Sequence, residues 1–101
     1  MAITETINGM KTAIITGAGS GIGLATAIAL HDAGMAVVGI GRDDVKLTAL
    51  ADKLGAGANL ATLSVDVTDD DGPSRIVEKA LSAFGRIDFL INNAGLGSPT
   101  P

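Results

Sequence analysis

The sequence predicts an α/β fold, a doubly wound parallel sheet, on three observations. Short apolar runs rich in β-branched residues alternate with longer stretches in which Ala and Leu recur at helical spacing. The links between them are brief and punctuated by glycine. A glycine-rich stretch, Thr16-Gly17-Ala18-Gly19-Ser20-Gly21-Ile22-Gly23, separates the first apolar run from the first helical one. Read in order the pattern is βαβαβαβ, and right-handed crossovers then give a parallel sheet covered by helices on both faces.

Met1 to Gly9 is a polar lead that reads as a frayed terminus. The first strand runs from Met10 or Lys11 to Thr16. The first helix follows the glycine turn and ends near His31-Asp32-Ala33-Gly34, with Gly34 as the C′ residue. His31 is the sole histidine and is expected to be solvated or bonded to a carbonyl. Met35 to Gly41 is the second strand. Leu47, Leu50, Ala51 and Leu54 share one face of a second helix, for which Asp43 or Asp44 is the N-cap. The third strand spans about Leu60 to Val65 and leads into Asp66-Val67-Thr68. The third helix begins in Asp69-Asp70-Asp71, with Pro73 in its first turn and Ile76, Val77, Ala80, Leu81 and Phe84 on one face. The three aspartates read as helix caps and N-terminal charges rather than as a metal cluster. Gly85 ends this helix, Ile87 to Ile91 forms the fourth strand, and Asn92-Asn93-Ala94-Gly95 follows.

Composition narrows the class further. A chain of 101 residues suits a single domain, and 47% hydrophobic content suffices for a core. Only 2% is aromatic, so branched aliphatic side chains must do the packing, as they do in helix-covered parallel sheets. A net charge of −4 offers no basic surface for nucleic acid. Cysteine is absent, which excludes disulfides and thiolate chemistry. The N-terminus lacks the pattern of a signal peptide, and no apolar run reaches the roughly 18 residues needed to span a bilayer, so a cytoplasmic protein without a membrane partner is expected.

The glycine turn carries the chemistry. Glycines let a backbone approach a ligand, and the free N–H groups of the first helical turn attract an anion. The spacing G-x-G-x-x-G fails from Gly17, because Ile22 stands where the third glycine belongs. A P-loop fails too, because Leu24 and Ala25 follow Gly23. The spacing that fits is T-G-x-x-x-G-x-G, through Thr16, Gly17, Gly21 and Gly23. A ligand-free turn is opposed by the strand before it and the helix after it.

With Asp66-Val67 and Asn92-Asn93-Ala94-Gly95 also in order, the chain from about Lys11 to Gly95 closely resembles the short-chain dehydrogenase/reductase family. The resemblance implies a Rossmann-type sheet with its four strands in the order 3-2-1-4, and it places all three motifs at the carboxyl edge, where ligands bind. It also implies roles. Gly17, Ser20, Gly21 and Gly23 resemble the turn beside the cofactor's pyrophosphate, with Ile22 offering a backbone N–H. Asp66 resembles the aspartate that holds the adenine amino group, with the backbone of Val67 beside it. Asn92 resembles the asparagine that ties the fourth strand to the sheet, and Asn93, Ala94 and Gly95 resemble the stretch that passes the cofactor's ribose.

The cofactor is read from the end of the second strand. An NAD site wants a carboxylate there for the ribose 2′-hydroxyl, whereas this sequence has Gly41 followed by Arg42. A guanidinium suits a 2′-phosphate, so the expected cofactor is NADP. The alternative is that Arg42 pairs with Asp43 or Asp44, or that those carboxylates serve the ribose of NAD. Ser20 is neutral where some relatives carry a second basic residue.

The family's Tyr, Lys and Ser lie beyond the asparagine motif. This sequence contains no Tyr, and Ser98 does not occupy the place of the catalytic serine. Residues 1–101 therefore read as one dinucleotide-binding domain without its catalytic half. Hydride transfer between a nicotinamide and a small carbonyl or alcohol is expected of the parent enzyme, which the resemblance implies is a homo-oligomer. The competing readings are a non-catalytic nucleotide-binding module and a structural protein with an empty cradle. A methyltransferase is disfavoured by Gly41, where an acidic residue should hold the ribose.

Overall fold

The structure, a computed structural model, describes residues 10–55 and 57–93. Four parallel strands, β1 (Thr12–Thr16), β2 (Ala36–Gly41), β3 (Leu60–Ser64) and β4 (Phe89–Asn92), form one sheet in the order β3-β2-β1-β4. This is the order that the family resemblance implies. Ile14 of β1 faces Val38 of β2 on one side and Leu90 of β4 on the other. Central strands of a parallel sheet are covered on both faces, which is why β1 and nearly all of β2 are fully buried.

Side chains alternate across the sheet and split the core in two. Ile15, Val37, Ala18, Ala27, Leu47 and Leu50 pack on the face covered by α1 (Gly21–Asp32) and α2 (Asp44–Leu54). Ile14, Val38, Ile40, Val65, Ile76 and Ala80 pack on the opposite face, under α3 (Gly72–Phe84). Burial of a large aliphatic side chain such as Ile15 or Ile40 stabilises by roughly 1.5–3 kcal/mol.

Helix ends follow local chemistry. Asp43 caps α2, its Oδ1 accepting from the N–H groups of Val45 (3.0 Å) and Lys46 (3.3 Å). Gly34 and Gly85 adopt positive φ after α1 and α3, as their positions in the sequence require. The acidic run before α3 behaves differently from expectation. Asp71 sits at the N-cap position with φ −93° and ψ 2° and makes no side-chain cap. Capping geometry needs an extended backbone at that residue, and this one is close to helical. Val77 and Leu81, assigned by periodicity to the packed face of α3, are 45% and 48% exposed. His31 does not bond a carbonyl; its Nε2 accepts from the Asn59 N–H at 3.2 Å, tying the end of α1 to the start of β3.

The fourth strand begins later than the sequence suggests. Asp88 is held instead at the entrance to β1. Its Oδ2 accepts from the Thr12 N–H (2.8 Å) and from Arg86 Nε (2.8 Å), while Arg86 Nη2 donates to Oδ1 (2.6 Å). Among the described residues β4 pairs only with β1, and Phe89 and Leu90 are 47% and 63% exposed.

Two expectations about stability follow from this end of the sheet. The Arg86 fork and the Thr12 N–H lower the Asp88 carboxyl from 3.8 to about 2. A carboxyl lowered on folding stabilises in full above its unfolded value and loses that contribution as pH falls through its folded value. In acid titrations, Asp88→Asn is therefore expected to be less stable than the parent at neutral pH, with the gap closing as pH falls from 3.8 to about 2. Thr12 is fully buried, and its hydroxyl has no hydrogen-bond partner among the described residues. Thr12→Val keeps the shape and removes the unpaired oxygen, so chemical denaturation should register a gain of about 1 kcal/mol.

Candidate functional site

The carboxyl ends of β1, β2 and β3 open onto one groove of about 590 Å³. Parallel strands deliver their following turns to the same edge, so residues distant in sequence meet there. Gly17, Gly19 and Ser20 form the side contributed by the turn after β1. Gly41, Arg42, Asp43 and Lys46 come from the end of β2 and the start of α2. Val65, Asp66, Val67 and Thr68 close the groove from the end of β3.

The glycines of the turn answer to different constraints. Gly17 and Gly21 adopt φ of +67° and +60°, a left-handed conformation that costs other L residues roughly 1–2 kcal/mol. Gly23 is buried for a different reason. A Cβ at Gly23 would run into the carbonyl oxygen of Gly17 and crowd the side-chain amide of Asn93. Asn93 lies directly beneath the turn, its Nδ2 donating to the Gly17 carbonyl at 3.4 Å. Its backbone N–H donates to Thr16 Oγ1 (2.8 Å), and Thr16 Oγ1 donates to Asn92 Oδ1 (3.0 Å). The Ala18 N–H donates to the Ile40 carbonyl (3.0 Å) and fastens the turn to β2.

Ser20 precedes α1 with an extended backbone, and its side chain makes no cap. The first-turn amides therefore carry no acceptor from the Ser20 side chain, and the helix dipole gives this end a partial positive charge. Ile22, in that turn, is 71% exposed. Such an end suits an anionic group.

Across the groove, Asp66 Oδ1 accepts from the hydroxyl and the N–H of Thr68 at 2.6 and 2.9 Å. These two bonds, the hydroxyl first, hold the Asp66 carboxyl below its ordinary range, and the Arg42 charge adds to them. Arg42 Nη1 lies 3.8 Å from Asp66 Oδ2. Arg42 thus pairs with neither Asp43 nor Asp44. Asp43 instead turns its Oδ1 to the amides of α2.

Of the residues singled out in the sequence, Gly17, Ser20, Arg42, Asp66 and Val67 line this one groove. Gly21, Ile22 and Gly23 form the start of the adjoining helix, and Asn93 supports the turn from below. Ala94 and Gly95 lie outside the described residues. Three residues acquire a part that the sequence did not assign. Thr16 links the turn to the asparagine pair, Thr68 orients Asp66, and Lys46 lines the groove. The Asp66-Val67-Thr68 spacing is itself a signature of an Asx turn and could have identified Thr68.

The chain matches the family model described as short chain dehydrogenase over residues 11–101. It is 37% identical over 86 residues to the 2-dehydro-3-deoxy-D-gluconate 5-dehydrogenase of Dickeya dadantii, covering 85% of this chain and 34% of that protein. It is similar to the crystal structure of L-sorbose reductase from Gluconobacter frateurii complexed with NADPH and L-sorbose, with a TM-score of 0.81 and 40% identity over 88% of this chain and 35% of that one. It also resembles 3-ketoacyl-(acyl-carrier-protein) reductase from Brucella melitensis complexed with NADH, with a TM-score of 0.74 and 34% identity over 83% and 34% of the two chains. The chain spans about a third of the length of the curated relatives it matches.

The different constraints on the glycines are separable by substitution. Gly21→Ala meets open space and only a positive φ, so about 1 kcal/mol of stability should be lost. Gly23→Ala must displace backbone, so denaturant titration should show a larger loss, about 1–3 kcal/mol. Equal losses at the two positions would contradict this geometry.

Proposed function

The chain belongs to the short-chain dehydrogenase family, and on that premise we propose that it is the dinucleotide-binding part of an NADP-dependent oxidoreductase. The reaction is hydride transfer between a nicotinamide and a small carbonyl or alcohol. The single observation that carries the cofactor preference is the arrangement at the end of β2, where Arg42 opens into the groove and Asp43 is committed to the helix cap. Capping turns the Asp43 Oδ1 toward the α2 amides, which compete for it with a ribose 2′-hydroxyl. A guanidinium that is 79% exposed and 3.8 Å from its carboxylate partner can turn toward a phosphate at little cost.

The groove's donor set fits a dinucleotide. The turn from Gly17 to Gly23 and the start of α1 hold the pyrophosphate. Ile22 contributes a backbone N–H, and Ser20 lies beside the phosphates. Asp66 and the backbone of Val67 hold the adenine amino group, and Asn93, Ala94 and Gly95 are the residues assigned to the cofactor's ribose. When bound, the nicotinamide gives or takes the hydride. This chain's residues bind and orient the cofactor; proton transfer is assigned to none of them, and Tyr is absent from the sequence. A carbonyl or alcohol substrate, a homo-oligomeric assembly and a cytoplasmic setting belong to the same proposal. Among the described residues, no helix is long and apolar enough to cross a membrane.

Fluorescence titration of the intact protein with both reduced cofactors tests the reading. NADPH should bind about tenfold or more tightly than NADH, the scale of one charge-assisted contact. Arg42→Ala should remove most of that difference and leave NADH binding nearly unchanged. Equal or tighter binding of NADH by the parent protein overturns the NADP assignment.

A further inference from the structure

Lys46 stands in the first turn of α2, on the same groove as Arg42 and Ser20. Its aliphatic stem lies against the glycine turn. A Cβ built on Gly19 would come within 2.9 Å of Lys46 Cβ and 3.7 Å of its Cδ. The stem therefore passes directly over Gly19, toward the groove that both residues line. Real Cβ atoms do not approach so closely, and neither neighbour is the free end of a chain. A side chain at position 19 and the Lys46 stem exclude one another.

The charge distribution around the groove gives this packing a consequence. Ser20 is neutral, so the turn itself contributes no cation. Asp66 is engaged by Thr68 and faces Arg42. Asp43 accepts from the Lys46 backbone N–H through Oδ1. Among the described residues, no carboxylate lies within ion-pair distance of the Lys46 ammonium. The base of the Lys46 side chain packs on the turn, and the exposed residue lines the groove, where an anion can meet its charge.

We propose that Lys46 is a specificity-determining residue, a second cation for the 2′-phosphate of NADP supplied from α2 instead of from the glycine turn. This rests on the NADP reading above. The phosphate lies between Arg42 and Lys46, one presented from each side of the Asp43 cap. Arg42 gives a planar fork, and Lys46 a point charge that adapts to it.

The test uses two fragments of the cofactor, 2′,5′-ADP and 5′-ADP, titrated calorimetrically into the intact protein. The parent protein is expected to prefer 2′,5′-ADP about tenfold or more. Lys46→Met keeps the stem and removes the charge, and it should weaken 2′,5′-ADP about three- to tenfold while leaving 5′-ADP within twofold. Lys46→Arg should restore the preference. If the parent prefers 2′,5′-ADP and Lys46→Met retains the full preference, the role of Lys46 is overturned and the NADP reading stands. Equal weakening of both ligands also overturns the role, because it marks a general or structural effect. If the parent shows no preference for 2′,5′-ADP, both the NADP reading and the role of Lys46 fall together.

Discussion

The site depends on one close approach. The Gly17 carbonyl, the bare Cα of Gly23 and the Asn93 amide converge where no further atom fits. This contact holds the end of β1 and the start of α1, neighbours across the glycine turn, against the distant end of β4. Thr16 completes it by accepting from the Asn93 N–H and donating to Asn92. The turn is therefore held from below before any ligand approaches from above. A preorganised backbone loses less conformational entropy on binding, which suits the proposed recognition of an anionic group by its N–H groups.

The rest of the fold serves this geometry. Two apolar layers lock β1 and β2 in the centre of the sheet, so the turn leaving each strand is delivered to a fixed position. At the opposite end Asp88 and Arg86 fix the entrance of β1 relative to β4. The polar interactions sit at the two ends of the strands and the apolar ones between them. In a parallel sheet with both faces covered, that is where backbone groups lack ladder partners and side chains can reach them.

Much of this was legible in the sequence because it rests on short-range chemistry. The glycine turn, a cap at Asp43 or Asp44 and the glycines that end two helices, Gly34 and Gly85, each follow from a local pattern of a few residues, whereas the strand order was implied by the family resemblance. What escaped depends on contacts between distant residues. Arg42 has two aspartates beside it in sequence, yet it faces Asp66, because parallel pairing sets β3 next to β2. For His31 the sequence suggested solvent or a carbonyl, and the fold supplied the Asn59 N–H. Helical periodicity correctly marks Ile76 and Ala80 as buried. It cannot tell that Val77 and Leu81, on the flank of the same stripe, stay uncovered among the described residues. Lys46 gave no signal at all, since its relation to Gly19 exists only once α2 has docked on the turn.

The central claim is that the groove at the carboxyl edge of β1, β2 and β3 recognises a nucleotide carrying a 2′-phosphate. Phosphorus NMR of NADP bound to the intact protein tests it most directly, because the 2′-phosphate resonance reports its own protonation. A free phosphomonoester takes up its proton near pH 6, and cations beside it lower that value. The account predicts a bound 2′-phosphate that remains dianionic well below the pH at which the free cofactor titrates. A bound resonance that titrates as it does in free NADP would mean the phosphate projects into solvent, and would contradict the account.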